Sequence, residues 1–153
     1  MTDHLTRTGP GITRLNPEVL HKTPGYHHIT VVEAGRTAHL AGQCPLDAAG
    51  DLVGPGDVLA QTDQVVANTL AALAAVDAGP EQVVRTVIYV VTDGTDALGA
   101  VWQRLTGSPL GPAFSTASTL LGVTRLGFAG QLMELDVTAA LPAGPDVTAA
   151  LSG

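Results

Sequence analysis

Residues Val83–Val91 read Val-Val-Arg-Thr-Val-Ile-Tyr-Val-Val, a run that is nearly all β-branched. Branching at Cβ favours the pleated strand, and a run of this length suits a strand buried on both faces. The sheet that contains it therefore needs cover on both sides. Aromatic residues make up only 3% of a chain that is 45% hydrophobic, so the core has to be built from Ala, Val and Leu. Small side chains of that kind favour close packing of helix on sheet. A length of 153 residues suffices for one domain with one core.

Two helices are predicted. The first spans 57–78: Asp57 is a good N-cap, Leu59, Val66, Leu70 and Leu73 recur at helical spacing, and Gly79-Pro80 ends it. Gln61, Thr62, Gln64, Asn68 and Thr69 occupy much of its remaining surface. The second spans 96–105, with Leu98, Val101, Trp102 and Leu105 on one side, which makes Trp102 a core residue between helix and sheet. Strands are predicted at 12–15, 83–91, 114–123 and 131–140, with a hairpin of 28–33 and 36–41 about Ala34-Gly35. The order is β-β-β-α-β-α-β-β. This is an α+β chain with two helices on one face of a single sheet. It reads as one domain, 1–153, with its core at about 10–141, frayed first residues and a loose tail from Pro142.

The last strand indicates what covers the second face. Met133, Leu135 and Val137 share one side, and Leu132, Glu134, Asp136 and Thr138 share the other. A face half apolar and half carboxylate suits neither bulk water nor a sealed core. It suits a subunit interface that encloses a cleft, and a homo-oligomer is expected.

Charge and cysteine usage narrow the function. The net charge is -7 with Lys+Arg 7, and the basic residues do not cluster, which argues against nucleic acid as a partner. Cys44 is the one cysteine, so neither an intramolecular disulfide nor a Cys-rich zinc site can form. No signal sequence or membrane-spanning apolar run is present, and a cytoplasmic protein without membrane attachment is expected.

Several segments, taken in order, carry a resemblance. They are Pro24-Gly25-Tyr26-His27-His28, then Ala41-Gly42-Gln43-Cys44-Pro45-Leu46-Asp47, then Gln61 through Asn68 to Leu73, then residues 83–93, then 112–123, then Glu134. Together they resemble the Rid family of reactive intermediate deaminases, also called YjgF/YER057c/UK114. The resemblance implies a chorismate-mutase-like fold, with three protomers whose sheets line a central barrel and small-ligand clefts between neighbours. It also implies hydrolysis of an enamine or imine such as 2-aminoacrylate to a keto acid and ammonia. In that pattern a strand arginine clamps the substrate carboxylate and a glutamate on the last strand positions water. A tyrosine and the backbone near a Gly-Gln pair complete the site. No cofactor is implied.

This chain departs from the pattern at the arginine. Aligned through Leu121-Gly122-Val123 the position is Ser118; aligned through Pro112-Ala113 it is Phe114. A serine offers one neutral donor where a bidentate guanidinium contact contributes roughly 1.5–3 kcal/mol. Weak or absent activity on 2-imino acids is therefore expected. Glu134 is the candidate catalytic residue, and Ser118, Thr119, Tyr26, Gly42, Gln43 and Cys44 are candidate ligand-binding residues. Arg125 is the cation near the end of the 116–123 stretch. His27 and His28, adjacent on a strand, point to opposite faces and do not share a metal, and His28 with His39 across the hairpin lacks a third ligand. Two readings stand: a Rid-like hydrolase of enamines, imines or related reactive metabolites, and a non-catalytic trimer that binds a metabolite or a partner protein. The family's older label, a translation-inhibiting endoribonuclease, conflicts with the acidic charge.

Overall fold

The computed structural model describes residues 4–7 and 11–142, so the tail expected to be loose lies outside the described residues. Seven strands and two helices follow in the order β1 (His4–Arg7), β2 (Ile12–Asn16), β3 (Ile29–Val32), β4 (Thr37–His39), α1 (Val58–Ala74), β5 (Val83–Val91), α2 (Thr95–Thr106), β6 (Ala117–Val123) and β7 (Met133–Ala140). The class is α+β, with both helices packed on a mixed sheet as expected.

The strands form a three-stranded sheet, β1-β2-β3, and a four-stranded sheet, β4-β7-β5-β6, rather than one sheet. The predicted hairpin is the casualty. β3 pairs antiparallel with β2, and β4 pairs antiparallel with β7, so the two strands flanking Ala34-Gly35 go to different sheets. A turn signal is local information, whereas both strands found longer-range edges to complete. β1 was not anticipated at all. The two sheets are stitched together by Thr30, whose hydroxyl lies 2.7 Å from that of Thr116 and accepts from the Ala117 amide at 3.1 Å.

β5 is central. It runs antiparallel to β7 and parallel to β6, and α2 makes the crossover that a parallel pair requires. Its register slips between Val83 and Arg85, so Val83 and Val84 are both buried and Arg85 turns outward. From there Thr86, Ile88 and Val90 face the helices, while Arg85, Val87 and Tyr89 face away.

α1 begins where Asp57 accepts from the Leu59 and Ala60 amides at 3.0 Å. It ends earlier than predicted, at Ala74, and Asp77 takes the left-handed conformation (φ 55) expected of Gly79. Its buried face is also more polar than predicted: Gln61, Thr62 and Thr69 lie inside with Val65, Val66 and Leu73. The threonine hydroxyls donate to the carbonyls of Val58 and Val65 at 2.7 Å, which satisfies them within the helix. Gln61 donates to the carbonyls of Gly54 and Gly130 and accepts from the Leu132 amide, tying two loops to the helix. α2 packs beside α1, where Arg104 forms a bidentate ion pair with Asp63. The core lies between the helices and one face of the four-stranded sheet, with Leu73, Ile88, Leu105, Phe114 and Leu135 enclosed. Full burial of such a side chain contributes about 1.5–3 kcal/mol.

Candidate functional site

The alternation of β7 sends Met133, Leu135, Val137 and Ala139 into the core and leaves Glu134, Asp136 and Thr138 on the opposite, open face. Residue 43 bridges antiparallel to Leu135, with amide-to-carbonyl bonds of 2.8 and 3.1 Å in both directions. That clamp lays Gly42 directly over the Glu134 carboxylate. A Cβ at residue 42 would sit 1.9 Å from Glu134 Oε1, so only glycine leaves the carboxylate its place. Glu134 Oε2 accepts from Gln131 Nε2 at 3.1 Å. Asn68 holds the loop from α1, donating to the carbonyls of Cys44 and Leu46 at 2.9 Å. Gln43 turns its amide back to the Ala41 carbonyl. Burial first, and then the charge of Glu134, push the Cys44 thiol above its ordinary range. That direction disfavours the thiolate, the nucleophilic form.

Further along the open face stand three groups that sequence reasoning did not select for the site. Tyr89 lies opposite Glu134 in the ladder and donates to Asp136 Oδ2 at 3.0 Å, and that bond is the main reason its phenol titrates above the usual range. Arg85 donates to the Thr119 hydroxyl at 2.7 Å. Asp136 was visible in the alternation of its strand. Arg85 shares the alternation of Val87 and Tyr89, and the slip at Val84 alters only Val83, which turns to the core.

β6 carries its adjacent hydroxyls to opposite sides. Thr119 joins Arg85 on the open face. Ser118 lies opposite Thr86 on the helix side, where it accepts from the Thr86 hydroxyl at 2.6 Å and approaches the Phe114 and Thr116 carbonyls at 3.4 and 3.2 Å. Phe114, the other alignment of the missing arginine, is enclosed in the core. Ser118 instead lines a cavity of about 300 Å³ with Pro24, Tyr26, Gly99, Trp102 and Leu120. Tyr26 is held there by its backbone: its carbonyl accepts from the Thr23 hydroxyl, and the next amide, His27, donates to Thr116 at 3.3 Å. Its ring stands edge-on to Trp102, and Trp102 edge-on to Phe114, at centroid distances of 6.3 and 6.0 Å.

The predicted residues thus fall in three places. Gly42, Gln43, Cys44 and Glu134 meet at the open face; Tyr26 and Ser118 meet at the helix-side cavity; Thr119 stands with Arg85. His27 Nδ1 bonds the Ser115 carbonyl and His28 Nε2 the His21 carbonyl. Arg125 is exposed beyond the end of β6. Among the described residues, no group of three or more His, Cys, Asp or Glu could hold a metal ion.

The family model for endoribonuclease L-PSP matches residues 19–141. A Yersinia pestis protein of the conserved Rid family, YyfB, has a similar structure, with a TM-score of 0.76 and 35% identity over 86% of this chain and 99% of that one. The YjgF gene product of Escherichia coli shares the fold, with a TM-score of 0.56 and 23% identity over 71% of this chain and 84% of that one. Protein DfrA of Myxococcus xanthus is 39% identical over 93 residues, covering 60% of this chain and 70% of DfrA.

Proposed function

The chain belongs to the endoribonuclease L-PSP family, the Rid and YjgF/YER057c/UK114 group, and from that premise we propose that it is a homotrimer with a small-molecule site between each pair of protomers. The observation that carries this reading is the split of the site residues. Glu134 and Gly42 lie on the open face of the sheet, whereas Ser118 and Tyr26 lie on the helix side at β6, the edge strand. One protomer keeps these groups on opposite sides of a sheet. A neighbour that lays its open face against the β6 edge unites one protomer's hydroxyls with the other's carboxylate, and covers the mixed face of β7 at the same time.

Such a cleft supports hydrolysis of an enamine or imine. The enamine tautomerises to the imine, and water attacks the C=N carbon. The Glu134 carboxylate orients that water and takes its proton as the C–O bond forms. The proton passes to nitrogen, the C–N bond breaks, and the products are a carbonyl compound and ammonia or an amine. Gln131 and the absence of a side chain at Gly42 hold the carboxylate for this task. Ser118 carries no charge for a substrate carboxylate, so 2-imino acids are poor substrates. RNA is not the substrate on this reading, since a net charge of -7 repels it. No helix among the described residues is long and apolar enough to cross a membrane, and a cytoplasmic location is part of the same proposal.

The test is ammonia or amine release from freshly generated 2-aminoacrylate and from uncharged imines, with Glu134→Gln beside the parent protein. Uncharged imines should be consumed faster than 2-aminoacrylate, and Glu134→Gln should lower that rate by about 10²–10⁴-fold, the range of general-base contributions. Ligand-induced thermal stabilisation without turnover, equal in both proteins, would instead establish the non-catalytic binding trimer.

A further inference from the structure

We propose that the cavity at Tyr26, Trp102 and Ser118 takes an uncharged, planar ring compound bearing one hydrogen-bond acceptor, and that this is the substrate class of the site. The inference rests on reading β6 as one wall of the catalytic cleft.

On the alignment through Leu121-Gly122-Val123, the position where the family pattern has arginine is Ser118, which lines this cavity. Replacing a long cationic side chain by a hydroxymethyl group leaves room where a guanidinium would extend. The room is apolar: Trp102, Leu120, Pro24 and Gly99 supply most of the wall. At about 300 Å³ it lies at the lower end of small-molecule pockets, which suits a single ring. Aromatic residues are only 3% of the chain, yet Tyr26, Trp102 and Phe114 form one edge-to-face series here. Tyr26 and Trp102 line the cavity and present π surface to a flat ligand, with Phe114 backing Trp102 from the core.

The polar groups select for neutrality. Ser118 is occupied: it accepts from Thr86, and its own proton has the Phe114 or Thr116 carbonyl in reach. Tyr26 is the group with a proton to offer. Its hydroxyl lies 3.2 Å from His21 Nε2, and when that nitrogen donates, the phenol proton is free for a ligand acceptor. One neutral donor matches a single imine nitrogen or carbonyl oxygen. A carboxylate brought to this wall loses water and gains no counter-charge from the residues that line it.

The probes are nicotinamide and nicotinate, equal in shape and different in charge. Trp102 is the single tryptophan of the chain, so its fluorescence reports occupancy of this cavity directly. Nicotinamide should quench it saturably at pH 8 and bind at least tenfold more tightly than nicotinate. Ser118→Arg, which restores a cation, should reverse the order. Equal or tighter binding of nicotinate by the parent protein, or no saturable quenching by either probe, overturns the proposal without recourse to any variant. Its failure is separable from that of the hydrolase reading. Imine turnover that depends on Glu134 beside a cavity blind to nicotinamide removes only the ligand class. A cavity that discriminates as stated, in a protein that turns over no imine, removes only the hydrolysis.

Discussion

Gly42 is the residue on which the placement of Glu134 turns. A methyl group there meets the far end of a flexible side chain rather than backbone, so the carboxylate swings away at little cost to the fold. Gly42→Ala should therefore leave the urea midpoint nearly unchanged, within the roughly ±0.5 kcal/mol of an innocuous substitution. It should nevertheless reduce imine hydrolysis as severely as Glu134→Gln. A variant that is fully active would mean that the observed carboxylate position has no part in the chemistry. Burial and the same carboxylate raise the thiol of Cys44, two residues on, above its ordinary range, which disfavours nucleophilic attack. These roles were partly legible in the residues. Glu134 announces itself as a carboxylate on a strand whose other side is apolar, and Gly42 by the pattern around it. The opposed facing of Ser118 and Thr119 follows from period-two geometry. What that facing means depends on which side the helices occupy, and no residue in β6 states it.

α1 illustrates how an element can carry more than its periodicity reveals. Leu73 and Val66 are buried as their spacing implies, but Gln61 is enclosed with them and bonds three backbone groups of two loops. Gln61→Ala would leave the Gly130 carbonyl and the Leu132 amide unsatisfied, while the Gly54 carbonyl keeps the Asp57 amide at 2.9 Å. The expected loss is about 2–4 kcal/mol in chemical denaturation, from penalties of about 1–3 kcal/mol per stranded group, partly relieved by water. A loss below about 0.5 kcal/mol would show that the staple is ornamental. Hydropathy cannot announce such a glutamine, since a polar side chain looks the same whether solvent or a loop backbone receives its bonds. The same limit concealed the slip in β5. It leaves no trace in a run of β-branched residues, yet it turns Val83 to the core beside Val84 while Arg85 keeps the open face with Val87 and Tyr89.

For the whole molecule, the proposed sharing of the site between protomers has a distinctive consequence. Ser118→Trp fills the helix-side half, and Glu134→Gln disables the open-face half. Each homotrimer should be inactive on uncharged imines. Trimers co-assembled from both variants should regain activity, because some seams pair an intact cavity with an intact carboxylate, about a quarter of them under random mixing. Activity that never exceeds the sum of the separate variants would place both halves in one protomer and sink the shared cleft. Sedimentation at assay concentration supplies the companion measurement, a mass three times that of the chain.

The chain's own residues determined the element types, because helical and strand periodicities are local, and the mixed character of the β7 faces, because alternation needs no partner. That neither alignment, through Ser118 or through Phe114, supplies an arginine was likewise readable before any coordinates. Tertiary structure alone decided that β3 and β4 part company, that Gln61 turns inward, and that Ser118 and Glu134 stand on opposite sides of one sheet. Each of these outcomes depends on which distant backbone edge or loop a segment meets. That choice is made by long-range hydrogen bonding and packing, and neighbouring side chains do not encode it.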